Sequence, residues 1–180
     1  MHAHHTVARP SRRSAAAVLL VATSGVVLTG CAPTIGVPAA EDATDPVCAS
    51  IVLSVPDELA GLPQVPTNSQ ATTAWGEPGA AITLRCGVEP PGPTAEAPCL
   101  TVESSSGDVD WLAAPDDEGT WTFVTYGRDP AVEVQVPPAI TEDRSTSFVA
   151  DLNRAVSEAP ATRTCVGLED VQTAAPDAEE

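Results

Sequence analysis

The chain has 180 residues, 43% of them apolar, and a formal net charge of -17 at pH 7. Its 25 Asp and Glu face only 8 basic residues, all of them Arg. So acidic a chain repels phosphate backbones, which excludes a nucleic-acid partner. The length suits one domain with tails and a core of its own. The three His lie at positions 2, 4 and 5, and the only Met is Met1. Beyond His5 there is no imidazole or ammonium side chain, so Ser–His–Asp, Cys–His and Ser–Lys catalysis are excluded.

In chain order, residues 1–30 read as an address. Arg9, Arg12 and Arg13 form a basic start. An apolar run follows from Ala15 to Ala22 and resumes at Val26-Val27-Leu28. As a helix, about fourteen residues span roughly 21 Å, short of the ~30 Å hydrocarbon core. The pattern is that of a secretory signal peptide rather than a spanning helix. Ser11-Arg12-Arg13 hints at twin-arginine export, but Ser14-Ala15-Ala16 stand where apolar residues should follow, so the arginines read as ordinary leader charge.

The run ends in Leu28-Thr29-Gly30-Cys31, which resembles the bacterial lipobox. That resemblance implies cleavage between Gly30 and Cys31 and a diacylglyceryl group on the Cys31 thiol. Two or three acyl chains, at about 0.8 kcal/mol per buried methylene, anchor a protein stably where one does not. The expected location is the extracytoplasmic face of the cell membrane, with the membrane as a partner through Cys31.

Residues 31–46, rich in Pro, Ala, Thr and acid, read as a disordered tether able to reach about 50 Å. The mature chain carries 5 Arg against 25 acids, a charge of -20, so it should stand away from anionic headgroups. Residues 47–168 form the folded domain, and 169–180 an acidic disordered tail.

Four Cys remain after cleavage: Cys48, Cys86, Cys99 and Cys165. An even number in an exported domain reads as two disulfides. A zinc site would have to be all-thiolate and lacks close Cys pairs. Of the three possible pairings, spacing favours Cys86–Cys99, which closes a short Pro-rich loop, with Cys48–Cys165 joining the domain ends.

Ile51, Leu53 and Val55 alternate as a first strand, and Pro56–Gly61 reads as a helical turn. Ile82, Leu84 and Cys86 alternate in a second strand, Leu100 and Val102 in a third. Thr120–Tyr126 has apolar groups on both faces, so it is central. Gly127-Arg128-Asp129-Pro130 is a hairpin loop before the alternating Val132, Val134 and Val136. Ser145 or Thr146 caps a helix with Phe148, Leu152, Ala155 and Val156 on one stripe, ended by Pro160. A last short strand carries Cys165. The fold class is α+β: a small single domain, mostly antiparallel sheet, with one C-terminal helix and two disulfides.

Ala74-Trp75-Gly76-Glu77-Pro78, Leu84-Arg85-Cys86-Gly87, Asp110-Trp111 and Thr125-Tyr126-Gly127-Arg128-Asp129-Pro130-Ala131-Val132-Glu133-Val134 occur in that order. The set resembles an actinobacterial family of exported proteins known only as domain of unknown function 3515, over roughly Val47 to Val166. The resemblance implies a small secreted or lipid-anchored envelope domain. It brings no catalytic residues.

Three side chains stand out as ligand contacts. Trp75 offers an indole for a sugar or, more simply, fills the core edge. Tyr126 and Arg128 sit at the hairpin loop, where the planar Arg fork suits a carboxylate or phosphate; in so acidic a chain it equally suits an internal partner. Asp108, Asp110 and Asp116-Asp117-Glu118 have the oxygens calcium needs but not its loop spacing, and read as a solvated acidic loop. A carboxylate pair acting on wall polysaccharide is formally possible, as is a calcium-binding envelope module. The favoured reading is a non-catalytic binding or assembly module for an envelope protein or glycan, with no cofactor or metal.

Overall fold

Among the described residues of the computed structural model eight strands form one sheet, and their order decides which residues meet. The structure describes residues 33–166, so the leader, Cys31 and the 169–180 tail lie outside the described residues. The chain divides into two units, Met1–Gly30 and Cys31–Glu180, and all described residues fall in the second.

The strands are β1 (Glu58–Leu59), β2 (Leu62–Val65), β3 (Thr72–Glu77), β4 (Ala80–Val88), β5 (Cys99–Val102), β6 (Val109–Pro115), β7 (Trp121–Thr125) and β8 (Ala131–Val136). They run antiparallel in the order β1-β2-β3-β4-β8-β7-β6-β5. β4 and β8 lie at the centre, and their alternation shows why. Ile82, Leu84, Cys86, Val132, Val134 and Val136 are fully buried. The residues between them, Thr83, Arg85, Glu133 and Gln135, face the other way. On that outer face Arg85 grips its cross-strand partner Glu133 with two bonds, Nε to Oε1 at 2.7 Å and Nη2 to Oε2 at 2.9 Å. This paired, hydrogen-bonded carboxylate raises the Arg85 pKa above its usual value, against the lowering by burial.

The expected C-terminal helix is present in altered form. A 3-10 turn, Thr146–Leu152, runs into a short helix, Asn153–Val156, and Ser145 caps it by accepting from Ser147 N at 3.2 Å. Its stripe of Phe148, Leu152, Ala155 and Val156 is buried against the sheet. Asn153 Nδ2 donates to Val102 O at 2.7 Å and Gly107 O at 2.9 Å, tying this segment to the β5–β6 connection.

Five expectations are corrected. The first strand is helix α1, Pro46–Ser54. Asp45 caps it by accepting from Val47 N at 2.7 Å, and Pro46 fits its first turn. Cys48 and Ile51, one turn apart, are fully buried, while Leu53 is 85% exposed. The period is helical, not twofold. The helical turn expected at Pro56–Gly61 is the β1–β2 hairpin: Ala60 and Gly61 both have positive φ, 55° and 74°, as a two-residue turn requires. The last strand with Cys165 is a single bridge, Ala161 to Arg128.

The disulfide pairing is also different. Cys48 joins Cys86, and Cys99 joins Cys165. In the strand order, four steps separate β4, carrying Cys86, from β5, carrying Cys99. At about 4.8 Å per step the gap is ~19 Å, beyond the ~7 Å limit for bridged Cα atoms. Cys86 points instead at α1, where the Cys48 Cα lies 5.4 Å from its own.

The described part of the expected tether is no tether. Ile35, Val37 and Ala43 are buried. Ile35 N donates to Pro66 O at 2.9 Å, and Asn68 N returns a bond to Ile35 O at 3.2 Å. Val37 N donates to Asn68 Oδ1 at 2.9 Å. Ile35 and Val37 cover Ala74 on the outer face. Asp42 N then bonds Gly87 O at 3.0 Å. Gly87, with φ +93°, admits this crossing because a Cβ there would collide with the backbone of Asp42 and Ala43.

Candidate functional site

The hairpin loop between β7 and β8 was the sequence's best candidate, and a second strap of chain closes over it. Thr162 N and Arg163 N donate to Gly127 O at 2.6 and 3.3 Å, and Thr162 Oγ1 donates to the same oxygen at 2.9 Å. Gly127 has φ +69°, and a Cβ there would strike the Arg163 backbone. The Cys99–Cys165 disulfide holds the strap at its far end, and Cys165 N donates to Asp110 Oδ2 at 2.8 Å.

Arg128 is turned inward by this closure and is 8% exposed. Its Nη1 donates to Ala159 O, and its Nη2 to Asp108 O at 3.4 Å. Burial lowers its pKa from the usual value, partly offset by the Asp110 charge. The guanidinium links the hairpin loop to the strap and the β5–β6 connection. Trp75, on β3, is fully buried, and its indole N–H donates to Pro56 O at 2.8 Å. That leaves no ring face for a sugar.

Tyr126 differs. It too is buried, yet with Leu112, Pro93 and the Cys99–Cys165 bridge it lines a small cavity of about 210 Å³. The structure thus brings Tyr126 and Arg128 to one loop and leaves Trp75 in the core.

Two of the acidic residues read as calcium candidates, Asp116 and Asp110, have local partners. Asp116 Oδ1 accepts from Glu118 N at 2.9 Å and Thr120 N at 2.8 Å, which shapes the β6–β7 turn. Asp110 accepts from Thr101 Oγ1 at 2.6 Å and from Cys165 N. Among the described residues no three His, Cys, Asp or Glu side chains converge to hold a metal. The same residues include no helix long and apolar enough to cross a membrane.

A further hollow lies away from this loop. It is an open cleft of about 730 Å³ between the end of α1, the chain after β5 and the C-terminal helical segment. Leu53 and Arg154 line it with four carboxylates, Asp57, Glu58, Glu103 and Asp151. Its walls come from three segments far apart in sequence, so no local motif announces it. The one available signal was Leu53, which a helical reading of 46–54 would have left outside.

A family model described as protein of unknown function (DUF3515) matches residues 14–165. The match begins at Ser14, just before the apolar run, takes in Cys31 and ends at Cys165. No curated protein and no solved structure matches the chain.

Proposed function

We propose that this chain, which belongs to the family of proteins of unknown function DUF3515, is exported and anchored by acylated Cys31 to the extracytoplasmic face of the cell membrane. Its domain then serves there as a non-catalytic binding or assembly module for an envelope protein or glycan. The observation that carries this reading is the oxidation of all four described cysteines in two disulfides. Such bonds form and persist outside the reducing cytosol. Further support comes from the family match, which extends across the apolar run and Cys31.

The non-catalytic part rests on chemistry. The sequence from residue 6 onward has no His or Lys to activate a nucleophile. The one inward-facing cation at the candidate loop, Arg128, is engaged with backbone carbonyls.

Metabolic labelling with an alkyne fatty acid tests the anchor. The wild-type protein takes up label and loses its leader. Cys31→Ser takes up none and keeps the leader, because the thiol that receives the lipid is gone. Equal labelling of the two proteins would remove the basis for the anchor.

A further inference from the structure

Among the described residues, the first buried one lies very close to the anchor. Pro33 and Thr34 are exposed, and Ile35 is already buried and hydrogen-bonded to the Pro66–Asn68 segment. Cys31 is four residues before Ile35. Even fully extended, that stretch reaches only ~14 Å. A domain on so short a leash cannot stand off from the lipid that holds it.

The strap formed by residues 33–44 also has a direction. Its bridge to Thr67 is parallel, so it runs the same way as β2. By register, β2 leads away from the Glu77–Ala80 turn. The chain upstream of Ile35 therefore comes from the end of the sheet that carries this turn. Ile35 shares a depression there with Gly79, Thr120 and Pro137. Glu89 lies past the opposite end of β4.

Resting on the lipid-anchor reading, we infer that the end of the sheet bearing the 77–80 and 116–120 turns faces the outer leaflet at leash length. The opposite end, with the 127–130 hairpin loop, points away. The neighbour is the phospholipid surface itself. The apposition is imposed by the chain and not by attraction. Glu77, Asp116, Asp117 and Glu118 sit on the facing turns and are repelled by anionic headgroups. What the domain binds must then come to within a domain's length of the bilayer.

The test uses lipidated full-length protein in phosphatidylethanolamine–phosphatidylglycerol vesicles that carry a headgroup-linked fluorescent acceptor. A donor dye is placed at Pro78→Cys or at Glu89→Cys, both exposed positions at opposite ends of β4. A nine-residue strand holds its ends about 30 Å apart. Energy transfer should be severalfold higher from position 78 than from 89. A flexible twelve-residue insertion between Ala32 and Pro33 should erase that difference. Equal transfer from both positions, in protein that floats with the vesicles, overturns the apposition and leaves the anchor standing. Protein that does not float with the vesicles overturns both.

Discussion

Removing the buried disulfide, with Cys48→Ala and Cys86→Ala together, lowers the stability of the domain by about 4 kcal/mol. The figure follows from the separation of 38 residues, whose loop the bridge closes in the unfolded chain. It is a large share of the ~5–15 kcal/mol that holds a typical domain. Both sulfurs are fully buried, one on α1 and one on the central strand β4. Their loss therefore removes the cross-link between α1 and β4. The melting temperature falls by roughly 10–20 °C for a domain of this size. Trp75 and Trp111 are both fully buried, so their fluorescence during thermal or guanidinium unfolding reports the core directly. An unchanged melting temperature would mean that α1 docks without the bridge.

Gly87→Ala acts on the same strand in another way. At φ +93° an L side chain is strained, which costs about 1–3 kcal/mol. The added Cβ would also meet backbone atoms of the crossing strap, among them Ala43 N at 2.6 Å. Neither partner is a flexible side chain, so the strap must move. The bond from Asp42 N to Gly87 O breaks, and Ile35 and Val37 lift from Ala74. Limited proteolysis followed by mass spectrometry should show new cuts within residues 35–44, at conditions where Trp fluorescence stays native. An uncut strap in this variant would show that the crossing at Gly87 is not what holds the segment.

Sequence patterns carried the centre of the sheet and little of its wrapping. The alternation of Ile82, Leu84 and Cys86, and of Val132, Val134 and Val136, is visible because strands half-covered by a core must place every second residue inward. The 127–130 hairpin and the Ser145 cap have local chemistry and were legible for that reason. Helix α1 was not, since Ile51, Leu53 and Val55 satisfy a period of two as readily as part of a helical turn. The signal that decides it, Asp45-Pro46 as cap and first residue, lies just upstream.

The disulfide pairing was not legible because closeness in sequence suggests a pair, whereas pairing follows strand order. Cys86 and Cys99 are neighbours in sequence and sit four strand steps apart. The strap 33–44 was hidden by its composition. Two apolar residues, Ile35 and Val37, suffice to pin it because Asn68 and the Pro66 carbonyl complete the backbone bonds. Arg128 and Trp75 drew notice as chemistry-bearing residues, yet both close gaps between distant segments. The acidic cleft beside Leu53 has no sequence signature, since its walls meet only after folding.

The identity of the mature chain end, with the state of its sulfurs, tests the account most directly. The measurement is the intact mass of protein extracted from membranes in detergent, with and without alkylation before reduction. The expected mass is that of a chain beginning at Cys31 and carrying a diacylglyceryl group, unchanged by the alkylating reagent. A chain that still carries residues 1–30 without lipid, or one that gains alkyl groups at Cys48, Cys86, Cys99 and Cys165, would contradict it.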